Sequence, residues 1–219
     1  MKTVIVTGAG RGIGLELCRQ LVAGGDNVIA TCRRVSRELD SLGATVVAGV
    51  EVTDQASIES LARKLQGRGV DLLINNAGIL SCETLEDLDY ERIREQFEVN
   101  ALGPLRVTSA LLPNLREGSK VAIITSRMGS IGDNGSGSYY GYRMSKAAVN
   151  MLGVNLARDL RKRGIAVFIL HPGMVATDLT GQQGIAPAEA ASKLLARIDG
   201  LDLKDTGVFL HANGERLPW

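Results

Sequence analysis

Thr3-Val4-Ile5-Val6-Thr7-Gly8-Ala9-Gly10-Arg11-Gly12-Ile13-Gly14 decides how the rest of this chain is read. A β-branched run passes straight into a glycine-rich turn, and an amphipathic stretch, Ile13–Ala23, follows. Strand, glycine turn and helix together form a phosphate-binding unit. Glycines let the backbone approach a pyrophosphate, and the helix N-terminus offers unpaired N–H groups and a partial positive charge. The glycines do not read G-x-G-x-x-G. They read Gly8-x-x-x-Gly12-x-Gly14, with Gly10 inside. A turn that needs glycine only for packing is the plainer alternative. The position between a strand and a helix favours nucleotide binding through Gly8, Gly10, Arg11, Gly12, Ile13 and Gly14.

Outward from this turn the same alternation continues. Strands are predicted at Thr3–Thr7, Asn27–Thr31, Thr45–Val50, Val70–Asn75, Lys120–Ser126, Ile165–His171 and Gly207–His211. Most are near-continuous apolar runs, as parallel strands covered on both faces require. Helices are predicted at Ile13–Ala23, Gln55–Gln66, Tyr90–Arg116, Tyr140–Arg163 and Pro187–Ile198. Asp54 is placed to cap the second, with Ile58, Leu61 and Leu65 on one face. The third turns Ile93, Phe97, Leu105 and Leu112 inward and is open to interruption at Gly103-Pro104. Gly164 is suited to end the fourth. Strict alternation of strand and helix predicts an α/β fold, a doubly wound parallel sheet with helices on both faces, in one domain spanning 1–219.

Bulk properties narrow the function. The 219 residues suit one sizeable core, and 45% hydrophobic with 22% charged residues is ordinary for a globular chain. A net charge of +1 gives no reason to expect nucleic acid or an anionic membrane as partner. No apolar run reaches membrane-spanning length, and the first residues carry no signal-peptide cleavage pattern. The three cysteines, Cys18, Cys32 and Cys82, are scattered and make neither a disulfide framework nor a metal cluster. A reduced, cytoplasmic protein without a metal centre is the expectation.

The end of the second strand selects the nucleotide. An NAD site places Asp or Glu there to hold the ribose hydroxyls. The run here is Ala30-Thr31-Cys32-Arg33-Arg34, with no acid. Arg33, joined by Arg11 from the glycine loop, suits the 2′-phosphate of NADP. Arg34 is as readily a solvated surface charge. The fourth strand ends in Asn75-Asn76-Ala77-Gly78, small and amide residues that would line a cofactor groove.

The chemistry is concentrated further on. The fifth strand ends at Ser126, where ligands bind in open α/β sheets. Tyr142-Arg143-Met144-Ser145-Lys146 follows, with Tyr142 and Lys146 on one helix face. A phenol beside an ammonium is a proton donor whose pKa is drawn toward neutrality. Asn100 stands as a polar residue in an otherwise inward-facing stretch, where satisfying helix backbone is the plainer role.

Thr7–Gly14, Asn75–Gly78, Asn100, Ser126, Tyr142/Lys146 and Pro172-Gly173 occur in this order. With these motifs the chain resembles the short-chain dehydrogenase/reductase family over essentially its whole length. Within that family it is similar to the small carbonyl-reductase branch that includes Sniffer and the bacterial C-factor. The Gly129–Gly132 insertion, the Tyr142–Lys146 motif and Leu217-Pro218-Trp219 carry that likeness. The resemblance implies a Rossmann-like sheet of seven strands in the order 3-2-1-4-5-6-7 and NADP(H) as cofactor. It implies Tyr142 as acid, Lys146 as the group that lowers the tyrosine pKa and holds the nicotinamide ribose, Ser126 as donor to the substrate carbonyl, and Asn100 as support for a water relay. It further implies that Pro172, Gly173 and Val175 face the carboxamide, Thr177 a phosphate, and Asn76, Ala77 and Gly78 the groove. Glu51, beside Val52, stands where the family has Asp against the adenine.

His171 tempts a catalytic reading, but Tyr142 already supplies the acid. The short stretch Thr180–Ala186 implies an open substrate pocket, with Cys82, Met174 and Tyr139 or Tyr140 as candidate lining. The implied reaction is NADPH-dependent reduction of ketones, aldehydes or quinones. An NAD(P)-binding signalling protein of C-factor type is the rival reading. NAD-linked alcohol oxidation is disfavoured by the missing acid at Cys32. The two long helices are the expected contact of a homodimer or homotetramer.

Overall fold

The computed structural model describes residues 1–219. Seven parallel strands form one sheet in the order β3-β2-β1-β4-β5-β6-β7. The strands are β1 Thr3–Thr7, β2 Asn27–Cys32, β3 Thr45–Ala48, β4 Val70–Asn75, β5 Leu115–Ile124, β6 Ala166–His171 and β7 Phe209–His211. Seven α-helices connect or flank them: α1 Gly12–Ala23, α2 Arg37–Asp40, α3 Gln55–Lys64, α4 Tyr90–Phe97, α5 Gly103–Ala110, α6 Tyr140–Arg161 and α7 Pro187–Gly200. No helix is long and apolar enough to cross a membrane.

Side chains alternate across the sheet, so each strand feeds two cores. Val4, Val6, Ala122, Ile124, Phe168 and Leu170 pack with Leu17, Leu21 and Leu194 of α1 and α7. Ile5, Leu73, Val121, Ile123 and Val167 pack on the other face with Ile58, Leu61, Val107, Val149 and Leu160 of α3, α5 and α6. Apolar residues on both faces explain why β1 and β4 end where the sequence places them.

The expected long helix over Tyr90–Arg116 is four successive pieces that stop at Asn114. Asp89 caps α4, accepting from the amides of Glu91 (3.1 Å) and Arg92 (3.0 Å). Glu98–Leu102 forms a π-helical turn, α5 continues from Gly103, and a 3-10 turn at Leu112–Asn114 carries Pro113. Leu115 and Arg116 already belong to β5. Asn114 ends the helical run by donating to the carbonyls of Leu65 (2.6 Å) and Arg68 (2.9 Å). Leu105, expected inside, is exposed, because the extra residue of the π turn rotates α5 relative to α4. The turn of α2 has no counterpart in the sequence reading; Ser36 caps it by accepting from the Leu39 amide at 3.2 Å.

Candidate active site

The site lies at the C-terminal ends of the strands, where β1 and β4 part to opposite halves of the sheet. This is the crevice in which open α/β sheets bind ligands. A cleft of about 1010 Å³ runs across it. Gly8, Gly10, Arg11, Gly12 and Ile13 line one end, with Arg33, Glu51 and Val52 beside them. Asn76, Ala77 and Gly78 form the middle, and Tyr142, Lys146, Pro172 and Thr177 also line the cleft. Gly14, Asn100, Ser126, Gly173 and Val175 are not part of its wall.

The glycine turn is built for close approach. Gly8 and Gly12 have φ of 67° and 55°, the left-handed region that favours glycine. Gly14 acts behind the wall: a Cβ there would lie 2.3 Å from the Gly8 carbonyl oxygen. The N-terminus of α1 has no side-chain cap and no acidic residue in its first turn. Its free N–H groups are therefore open to an anion.

The side-chain amides of Asn75 and Asn76, at the end of β4, are engaged within the protein. Asn75 is buried and its Nδ2 donates to Thr108 Oγ1 at 3.1 Å. Asn76 Nδ2 donates to the carbonyls of Thr7 (3.0 Å) and Gly8 (3.3 Å). The Thr7 hydroxyl oxygen accepts from the amides of Asn76 (3.0 Å) and Ala77 (3.1 Å). Asn76 and Thr7 lock the ends of β1 and β4 together, and Asn75 ties β4 to α5.

The arginines expected to converge are each held by a carboxylate. Arg11 pairs with Asp178, and Arg33 pairs with Glu51 at 3.6 Å. Glu51 thus meets a guanidinium here. Both pairs are largely exposed and worth about 1 kcal/mol or less, so a phosphate can replace them. Arg34, read evenly between surface and site, lines the cleft and forms no ion pair. Asp178, Leu179 and Gln182 also line it and were missed. They sit in a segment held by Ala176 donating to Ile185 O (2.8 Å) and Ile185 donating to Met174 O (2.9 Å), a pairing no local pattern announces.

At the other end Tyr142 and Ser126 meet. Burial pushes the phenol up to about 12, and the Ser126 hydroxyl, as its hydrogen-bonding neighbour, draws it part of the way back. This reverses the expectation of a phenol pulled toward neutrality. Lys146 Nζ lies 5.6 Å from the Tyr142 ring centroid and donates to Ile124 O at 3.1 Å. Burial pulls the ammonium down to about 8. Ser126 Oγ accepts from the Met128 amide at 3.1 Å, which leaves its proton free to donate.

Asn100 is 1% exposed, with both amide hydrogens and one Oδ1 lone pair engaged. Oδ1 accepts from the Ile79 amide (2.9 Å), while Nδ2 donates to Ile79 O (2.9 Å) and Ser145 Oγ (3.0 Å). It therefore serves the strand β4 exit and α6, and not the backbone of its own helix. His171 is buried, stands edge-on to His211 at 5.0 Å, and is lowered to about 3 by burial and by that neighbour. A ring neutral at every ordinary pH is no general acid. Cys82 and Met174 are exposed, and Tyr139 and Tyr140 are half-buried, none of them in the cleft wall.

Comparison with known proteins agrees with this geometry. The short chain dehydrogenase family model matches residues 2–187. The chain is 48% identical over 226 residues, all of both proteins, to 1-hydroxy-2-glutathionyl-2-methyl-3-butene dehydrogenase of Rhodococcus sp. (strain AD45). It is 48% identical over 155 residues to C-signal of Myxococcus xanthus, covering 68% of this chain and 93% of that protein. NADPH-bound carbonyl reductase from chicken fatty liver superposes with a TM-score of 0.91 at 34% identity, over 100% of this chain and 99% of that one. Sheet order, cleft and family match together establish that this chain belongs to the short-chain dehydrogenase/reductase family of oxidoreductases.

Proposed function

We propose that this protein is an NADPH-dependent carbonyl reductase in which Tyr142 protonates the substrate oxygen. The observation that carries the reading is the half-buried Tyr142 phenol, which lines one end of a dinucleotide-sized cleft and has the Ser126 hydroxyl as its hydrogen-bonding neighbour. The residues fit the cofactor. The uncapped α1 N-terminus suits a pyrophosphate, and Arg11, Arg33 and Arg34 suit a 2′-phosphate. When bound, the reduced dinucleotide supplies the hydride.

The chain's own residues do the rest. Ser126 donates to the carbonyl oxygen, and Tyr142 gives its proton as negative charge grows there. Lys146 places a cation beneath the phenol. Asn100 Oδ1 accepts one hydrogen bond and keeps a second lone pair, which suits it to support a water relay toward Lys146. The groove at Asn76, Ala77 and Gly78, with Pro172 and Thr177 also in the cleft wall, brackets the nicotinamide half, and Gly173 and Val175 support it from behind. Exposed Leu102, Leu105, Met144 and Met151 on α5, α6 and the π turn support a homodimer or homotetramer contact.

A second reading is oxidation of an alcohol beside a thioether, favoured by the whole-length likeness to the Rhodococcus dehydrogenase. The same donors then run in reverse, with the Tyr142 phenolate as base. The run ending β2, Cys32-Arg33-Arg34, has no acid to hold an NAD ribose, which weighs toward NADPH and reduction. The C-signal likeness favours a signalling role, against which the complete Asn100, Ser126, Tyr142 and Lys146 set weighs.

One experiment separates these. Quinones, aromatic aldehydes and ketones are assayed with NADPH and NADH, and a glutathionyl alcohol with NADP⁺, in the parent and in Tyr142→Phe. NADPH-linked reduction that vanishes in Tyr142→Phe, with NADPH binding nearly intact, is expected. Full turnover by Tyr142→Phe refutes the donor, and equal use of NADH and NADPH refutes the phosphate role of the arginines. Turnover of the alcohol alone selects the second reading; nucleotide binding without turnover selects signalling.

A further inference from the structure

Glu83 is a carboxylate that is 2% exposed and pairs with no cation. Oε1 accepts from Gln96 Nε2 at 2.9 Å and from the Ser81 hydroxyl. Oε2 accepts from the Gly141 amide at 3.1 Å, and the Glu83 carbonyl accepts from the Tyr139 amide at 2.8 Å. Gln96 is bound in turn: Nε2 donates to Ser81 Oγ (2.8 Å) and Oε1 accepts from the Ser81 amide (3.1 Å). Burying a carboxylate is costly unless its oxygens are hydrogen-bonded, and here every bond comes from Ser81, Gln96 or α6.

What the carboxylate reaches is the first turn of α6. The first amides of a helix have no partner within it, and negative charge is favourable there. Nothing local serves α6: Tyr139, its N-cap, makes no side-chain cap, and the first turn holds no acid. The approach is strained as well. Gly137, Ser138 and Tyr139 have φ of 64°, 54° and 53°, and the last two carry side chains. Arg143 Nε holds this segment by donating to the carbonyls of Gly137 (2.9 Å) and Ser138 (3.2 Å). Gln96 closes the contact, since a Cβ on Gly141 would come within 2.3 Å of its Nε2. Tyr142 is the next residue.

We infer that Glu83 is a positioning residue for Tyr142. By capping α6 at Gly141 from outside the helix, it holds the strained entry and sets the phenol against Ser126. The inference rests on Tyr142 being the proton donor.

The test uses Glu83→Leu, Glu83→Gln and the exchange Glu83→Gln/Gln96→Glu. Glu83→Gln alone sets two amide nitrogens against each other. The exchange rebuilds every bond. The amide oxygen at position 83 accepts from Gly141, its nitrogen donates to Ser81 and to the carboxylate now at position 96, and that carboxylate still accepts from the Ser81 amide. NADPH-linked reduction of 9,10-phenanthrenequinone is followed. Both single variants lose kcat by roughly 10- to 100-fold, the scale of a misplaced reacting group. KM for NADPH moves by less than about threefold, and the exchange returns kcat to within about threefold of the parent.

Amide hydrogen exchange at Gly141 needs no substrate. It speeds up by about tenfold or more in the single variants and slows again in the exchange. Parental kcat and parental amide protection in Glu83→Gln overturn the inference, as does a folded exchange variant that recovers neither. Where the quinone is not turned over, amide exchange alone decides. Full turnover by Tyr142→Phe measured alongside removes the donor reading and the catalytic role of Glu83 with it, while amide exchange still reports the cap.

Discussion

Lys146 shows how far a single side chain can depart from its sequence reading. The spacing to Tyr142 places both on one helix face, and the structure keeps them together at 5.6 Å. Sequence adjacency says nothing of burial, however. The ammonium is 5% exposed, donates to Ile124 O, and is pulled down to about 8, while the phenol rises to about 12. The desolvation of both groups outweighs their mutual influence. The sign of the pH dependence follows. Lys146 is charged below about 8 and neutral above it, and Tyr142 keeps its proton throughout. Carbonyl reduction by the free enzyme, read as kcat/KM, is expected to be level from about pH 6 to the lysine pKa and to fall above it. In Lys146→Arg the guanidinium stays charged, so whatever activity remains is expected to show no such fall. A fall of the same midpoint in Lys146→Arg assigns it to another group.

At the scale of elements, the relation between Ser126 and Tyr142 is set by one turn lying on one helix. Arg127–Gly129 forms a 3-10 turn after β5, and a Cβ on Gly129 would lie 2.6 Å from the carbonyl carbon of Lys146. Asn150 of α6 staples the two by donating to Gly129 O at 3.2 Å and accepting from the Thr125 hydroxyl at 2.7 Å. Backbone cannot yield as a flexible side chain does. Gly129→Ala is therefore expected to push the turn off α6, withdraw Ser126 from the phenol and lower kcat by roughly 10- to 100-fold. Thermal melting should also fall, and NADPH binding should change little, because the glycine loop lies at the other end of the cleft. Parental kcat in Gly129→Ala would show that the turn does not govern Ser126. In the sequence, Gly129 reads only as part of an insertion. Glu83 and Gln96 are invisible there for the same reason: they join each other, Ser81 and Gly141 of α6, and no local period encodes a contact across the chain. The glycine loop was legible because strand, turn and helix are contiguous.

Across the whole molecule, the parts read correctly are those that burial on both faces dictates. The strands are apolar runs because helices cover them on either side, and parallel order with crossover helices follows from alternation. What escaped is polar and long-range, and His171 is its largest energetic instance. It ends β6 as part of an apolar run, and the sequence leaves it a spectator beside the cofactor. In the fold it is 7% exposed, its Nδ1 has no partner, and burial with His211 beside it lowers it from 6.5 to about 3. The unfolded chain takes up a proton near 6.5 and the folded chain does not. Between these values the unfolded state binds more protons, so stability is whole above 6.5 and is lost as pH falls toward 3. The limiting slope for one such group is about 1.4 kcal/mol per pH unit. The window between 6.5 and about 5 is the informative one, because it lies above the ordinary carboxylate range. Urea unfolding there is expected to show the parent weakening by on the order of 1–2 kcal/mol, with His171→Gln nearly level whatever its absolute stability. Parallel slopes for the two proteins would mean that His171 takes up its proton equally in the folded and unfolded chain, and would remove this contribution.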